Sequence, residues 1–215
     1  MRLEATMNGK TFYSVVQSRR TVRKFQNKEV EQDAIQRVLA CGLQAPTYNH
    51  LREWHFVFLK DVELRKRILE ESNAFSRTPD KTFLNETLAK IDNACQKEVY
   101  AYSVPLQEKI LLTAPEVLLV CFKMDKKLAE ARSLFDLNNF ASAWLVVENI
   151  LLAMAAEGLY GVTLVPFRTG RLKEILGMPD HMEIATFLPF GYPEQEPAIT
   201  QVKKELRDTI HIDRW

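Results

Sequence analysis

Apolar positions recur along this chain with two periods, and the switching between them predicts an alternation of helices and strands. Residues 11–18 show a short helical period with Phe12, Val15 and Val16 on one face. Residues 31–43 repeat it with Ile35, Val38, Leu39 and Leu43. The aromatic and β-branched run WHFVFL at 54–59 predicts a buried strand. Asp61 is placed to cap a helix reaching about Ser72, with Leu64, Ile68 and Leu69 on its apolar face. A long helix from about 82 to 102 aligns Leu84, Leu88, Ile91, Cys95, Val99 and Tyr102, and Pro105 is expected to stop any continuation.

Beyond it, EVLLVCFKM at 116–124 predicts a second strand, and Asp125 is expected to open a charged surface helix. Residues 140–156 are apolar nearly all round, interrupted only by Ser142, Glu148 and Asn149, so this helix needs burial in a core or against another subunit. Gly158 supplies its stop. A third strand is expected at 162–165, a helix at 172–176 ended by Gly177 and Pro179, and a fourth strand at 184–190 closed by the Gly191-Tyr192-Pro193 turn. Strands alternating with helices imply an α/β sandwich of three layers around one sheet. No repeat or Pro/Gly/Ser-rich linker divides the 215 residues, so the reading is one domain over 1–193 with a peripheral tail at 194–215. The tail ends in Trp215, a side chain expected to dock on its own domain or on a partner.

Charge narrows the function classes. Lys+Arg is 29 against 28 Asp+Glu, and a net charge of +1 supplies no global field for nucleic acid or an anionic membrane. The 140–156 stretch falls short of the ~20 residues that span a bilayer and carries Glu148 near its centre, and the N-terminus lacks the apolar core of a signal peptide; a soluble, cytoplasmic protein is expected. Cys41, Cys95 and Cys121 are odd in number and widely spaced, which suits small buried hydrophobes in a reducing compartment and no metal site. His50, His55, His181 and His211 are scattered.

One cluster stands apart from this balance. Ser18-Arg19-Arg20-Thr21-Val22-Arg23-Lys24 crowds four cations and two hydroxyls into seven residues. Guanidinium forks with a hydroxyl between them can surround a phosphate; a solvated basic turn is the plainer alternative. No Walker-type phosphate loop and no Gly-rich dinucleotide loop occurs, and no hydrolase signature stands out.

The order of segments resembles the FMN-dependent nitroreductase family. SRRTVRKF is similar to its R-R-S-x-R-x-F opening, and Ala45-Pro46-Thr47-Tyr48-Asn49-His50 followed by Glu53-Trp54-His55-Phe56-Val57 is similar to its A-P-S-x-x-N-x-Q-P-W-x-F loop. Residues 148–159 (ENILLAMAAEGL) resemble its central helix, and Leu176-Gly177-Met178-Pro179 and Phe190-Gly191-Tyr192-Pro193 its closing pieces. The resemblance implies a three-layer α-β-α sandwich of mixed α/β (α+β) class, assembled as a domain-embracing homodimer with the tail on the partner.

It further implies that Arg19, Arg20, Thr21 and Arg23 hold the phosphate and ribityl chain of FMN, with Thr21 standing for the usual Ser. Pro46, Thr47, Tyr48 and His50 would cover the flavin ring from the other subunit, and Arg52-Glu53 replace the family's Gln-Pro. Arg168 and Thr169 would offer backbone donors to the ring, since Pro166 has none. Lys203 and Lys204 would reach the phosphate. Tyr48 with Arg52 would shape the acceptor space. The flavin, not a protein triad, carries the chemistry in this reading: hydride from NAD(P)H, then electrons to a nitroaromatic, a quinone or a similar small planar acceptor, by ping-pong kinetics. His50, a residue found in the family's dehalogenase branch, keeps reductive dehalogenation or flavin modification as a rival. A non-catalytic flavin-binding protein is another.

Overall fold

The computed structural model describes residues 11–72, 74–75, 85–86, 88–124, 126–197 and 205–215. In chain order they include α1 (Phe12–Ser18), α2 (Gln32–Gly42), β1 (Trp54–Phe58), α3 (Val62–Glu71), α4 (Ala94–Thr113), β2 (Glu116–Lys123), α5 (Asn138–Ala156), β3 (Tyr160–Gly161), α6 (Gly170–Leu176) and β4 (Met182–Gly191). The two apolar runs β2 and β4 pair at the centre of a four-stranded sheet of order β1-β2-β4-β3, antiparallel at every step. Both are buried almost end to end, as apolar runs without alternation require.

Pleating sends alternate side chains to opposite faces. Leu118, Val120 and Phe122 join a core with Val38 of α2 and Val147 and Ile150 of α5, while Val117, Leu119 and Cys121 join another with Ile68 of α3, Ile110 and Leu111 of α4 and Leu172 of α6. α1 lies against α5. The expected three-layer sandwich is therefore present, and its antiparallel sheet makes it the α+β variety.

α5 buries Ala143, Val146, Val147, Ile150 and Met154 against α2 and the sheet. With the turn before it, the helical stretch Phe135–Ala156 reaches 22 residues, long and apolar enough by length and composition to cross a membrane. Packing buries part of that apolar surface, while Leu145 stays half-exposed, and Phe12 and Tyr13 of the α1 helix that leans on α5 stay exposed.

Several expectations are corrected. The 82–102 helix is broken: Ile91–Asn93 are not helical, and Asn93 caps a new helix by accepting from the Gln96 N–H. α4 then runs through Pro105, because its far end places Ile110 and Leu111 in the core and tertiary packing offsets the lost hydrogen bond; Leu84 lies outside the described residues. β1 is an edge strand with Trp54 buried and His55 and Val57 exposed, so only half of the run is covered. Asp125 lies outside the described residues, and in place of the expected surface helix the described chain after Lys126 makes two 3-10 turns, Leu128–Glu130 and Phe135–Leu137. The third strand is Tyr160–Gly161, with Leu164 adding a single bridge to Phe187. Of the cysteines only Cys121 is fully buried, its thiol pushed up to about 12 by desolvation; Cys41 is exposed. Trp215 stacks on His211 (4.6 Å between centroids) and is otherwise fully exposed, so it docks on no described part of its own domain.

Candidate functional site

The basic segment is pinned along its backbone, with its arginines half-buried and Thr21 and Lys24 exposed. Arg19 closes α1, after which the chain runs alongside the sheet: Thr21 bridges Gly161 in parallel, and the Val22 N–H donates to Gly161 O at 3.1 Å. Further on, the Gln26 N–H donates to Tyr192 O at 2.9 Å, and the Glu194 N–H to Lys24 O at 3.1 Å. Gly161 is required here, since a Cβ would sit 2.8 Å from the Pro189 carbonyl oxygen. The Gly191-Tyr192-Pro193 turn thus serves to clamp the cationic segment.

Held this way, Arg20 Nε and Arg23 Nε are buried, and neither has a hydrogen-bond partner among the described residues. Burial pulls the Arg23 guanidinium below its ordinary value, opposed by Tyr102. A buried donor left unpaired costs about 1–3 kcal/mol, more when charged. Two such donors three positions apart on one segment suit an anion with several oxygens, which is what a phosphate offers.

Arg168 and Thr169 follow from the same sheet edge. Past Gly161 the chain bridges at Leu164, gives the Phe167 N–H to Ala74 O at 2.8 Å, and reaches exposed Arg168 and then Thr169, which precedes α6 without a side-chain cap bond. These two follow along the chain from the strand edge that pins the Arg19–Arg23 segment. Lys203 and Lys204 lie outside the described residues.

The second group, residues 46–52, forms a tight turn containing the 3-10 segment Tyr48–His50. Asn49, His50 and Arg52 have positive φ (47°, 55° and 51°), a conformation disfavoured for side chains with a Cβ and found where surroundings impose it. The imposing contacts come from α5. The Tyr48 N–H donates to Ser142 Oγ at 3.0 Å, and Ser142 Oγ–H donates to Asn138 O at 2.8 Å. The Arg52 N–H donates to Thr47 Oγ1 at 3.4 Å, and the Tyr48 ring meets Phe135 edge to face at 5.5 Å. Ser142 was not among the sequence-derived site residues; its signal was a lone hydroxyl in an otherwise apolar helix. Tyr48 lines a pocket of about 250 Å³ with Lys126, Phe135 and Asp136, whereas Arg52 is exposed and does not line it.

Within one chain these groups stand apart. The 46–52 turn precedes Trp54, which pairs with Phe122 and, through it, lies level with Glu183 on β4; the basic segment lies beside Gly161, level with Phe190. Seven residues of strand at ~3.3 Å each separate the two levels by about 23 Å.

The chain is similar to several known proteins. Iodotyrosine deiodinase 1 of Mus musculus is 26% identical over 97% of this chain and 71% of its own length. A putative NADH dehydrogenase/NAD(P)H nitroreductase of Methanothermobacter thermautotrophicus is 22% identical over 93% of this chain and 85% of its own. Among solved structures, oxidised iodotyrosine deiodinase bound to FMN and 3-iodo-L-tyrosine superimposes with a TM-score of 0.71 at 20% identity, covering 95% of this chain and 100% of that one. The Nitroreductase family matches residues 16–192, spanning the basic segment, the strained turn, both central strands and the Gly191-Tyr192 clamp; the chain belongs to the nitroreductase family of flavin enzymes.

Proposed function

We propose that this protein is an FMN-dependent oxidoreductase that takes hydride from NAD(P)H and delivers electrons to a small planar acceptor. The observation that carries the reading is the pair of buried, unpartnered guanidinium donors on Arg20 and Arg23. Arg19, Arg20, Thr21 and Arg23 would hold the FMN phosphate and ribityl chain, and backbone donors at Arg168 and Thr169 would address the ring from the same sheet edge. When bound, FMN supplies hydride acceptance from the donor and electron delivery to the acceptor. The chain's own part is to fix the cofactor, shield one ring face and exclude a second nucleotide site.

The offset of the two groups along the sheet favours a homodimer in which Pro46, Thr47, Tyr48 and His50 of one subunit cover the flavin held by the Arg20–Arg23 segment of the other. The exposed apolar side chains Phe12, Tyr13 and Leu145, and Leu206, Ile212 and Trp215 of the tail, are suited to that interface. The protein is expected to sediment as a dimer at micromolar concentration; a monomer retaining FMN would contradict the shared site.

One covered ring face leaves one face for donor and acceptor in turn. Initial rates over a grid of NAD(P)H and nitroaromatic or quinone concentrations are expected to give parallel double-reciprocal lines. Lines converging left of the axis would mean a ternary complex and a separate nucleotide site. The deiodinase relatives favour a second reading, reductive removal of halogen from an aromatic acceptor, and His50 fits that branch; halide release from a halophenol under the same reducing conditions separates the two.

A further inference from the structure

The pocket beside Tyr48 is built from two segments that the sequence keeps far apart. The start of α5 and the turn before it bring Phe135, Asp136, Asn138 and Asn139; Lys126 comes from just beyond β2. The Tyr48 and Phe135 rings stand at 83° to each other, and Phe135 is 66% exposed, leaving ring surface free for a flat ligand.

Asp136 is fully committed. Its carboxylate accepts from the Arg132 and Ser133 N–H groups (3.0 and 3.1 Å), from Ser133 Oγ–H at 3.0 Å and from Lys126 Nζ at 3.3 Å. These donors, the Arg132 N–H foremost, hold its carboxyl down at about 2, so it stays an anion that fixes the loop. Lys126 spends one donor on it and keeps two, with its side chain 59% exposed. The Asn138 side chain makes no hydrogen bond among the described residues, while Asn139 gives its Nδ2 to Lys123 O at 3.1 Å and keeps an acceptor. The unspent chemistry of the pocket is therefore ring surface, a cation and an amide. A ligand cation finds no open carboxylate; a ligand anion finds Lys126.

We infer that this pocket is a specificity subsite for an aromatic acceptor bearing an anionic substituent, a carboxylate or phenolate, with Lys126 as its anchor and Tyr48 and Phe135 as its walls. The inference rests on the flavin reading above, because Tyr48 belongs both to the turn assigned to cover the ring and to this pocket.

The test uses the protein as purified, with Lys126→Ala and Lys126→Arg alongside, and two ligands of the same shape: 4-nitrobenzoate and neutral 4-nitrobenzamide. Binding of each is measured by calorimetry, and flavin content is read from the spectrum of the same samples. One charge-assisted hydrogen bond predicts a preference of about tenfold for the benzoate in the wild type. That preference should fall to about onefold in Lys126→Ala, persist in Lys126→Arg, and leave flavin content the same in all three. Equal binding of the two ligands by the wild type overturns the subsite, as does an unchanged preference in Lys126→Ala. Absence of flavin from the wild type is a separate result that strikes the flavin reading, since the calorimetric preference does not depend on turnover.

Discussion

The Arg20→Ala/Arg23→Ala variant is expected to fold, to purify colourless and to take up FMN only at concentrations far above those that saturate the wild type. Each guanidinium loss removes a hydrogen bond to a charged group, about 1.5–3 kcal/mol, so each single variant should raise the Kd for FMN about 10- to 150-fold. Both Nε atoms are buried without a partner among the described residues on one pinned segment, so in the proposed site the two losses bear on the same phosphate. Lysine at either position keeps the charge without the fork and should recover only part of the affinity. Fluorescence titration of the apoprotein measures all of these; affinity unchanged in both single variants would move the phosphate site elsewhere.

A second large effect is expected far from the cofactor. Arg65, buried in α3, donates Nε–H to Leu59 O and Nη1–H to Leu111 O and Ala114 O (3.3 and 2.8 Å), tying the end of β1 to the end of α4. Burial lowers its guanidinium below the ordinary value, with Glu116 opposing the shift. Arg65→Met keeps the stem's volume but strips three carbonyls of their donor, at a cost of about 3 kcal/mol. For a chain of this size that is a fall in Tm of roughly 6–12 °C. FMN affinity measured well below Tm should stay at the wild-type value, which separates this structural loss from that of Arg20→Ala. A Tm within a degree of wild type would show that the three carbonyls find other partners.

Arg65 also shows where sequence reading stops. Leu64, Ile68 and Leu69 mark the apolar face of α3 and the helical period sets Arg65 on that same face, but its acceptors at the end of α4 lie nearly 50 positions away and leave no local signal. The same kind of long-range term carries α4 through Pro105 and leaves β1 at an edge, where half of WHFVFL meets solvent. What the periodicity did capture were segments whose local signal and burial agree: α2, α3 with its Asp61 cap, α5 with Gly158 after it, and α6 closed by left-handed Gly177.

The site divides along the same line. The cationic segment was visible as a charge anomaly on a balanced chain, and the Pro46–His50 turn through its family resemblance. Ser142, Phe135 and Lys126 were not, because each contributes only once α5 and the end of β2 reach Tyr48. The separation of the two half-sites was equally hidden, since it follows from strand register: Trp54 opposite Phe122, and Gly161 opposite Phe190.

The measurement that bears most directly on the central claim is anaerobic reduction of the purified protein followed by its visible spectrum. The account predicts the two bands of oxidised flavin in the starting material, with FMN released on denaturation. It predicts bleaching on addition of NADH or NADPH and full return of the bands when a nitroaromatic or quinone is added without oxygen. Flavin that binds tightly yet is bleached by neither nucleotide would contradict NAD(P)H as the donor, leaving a dehalogenase fed by another reductant or a flavin-binding protein in its place.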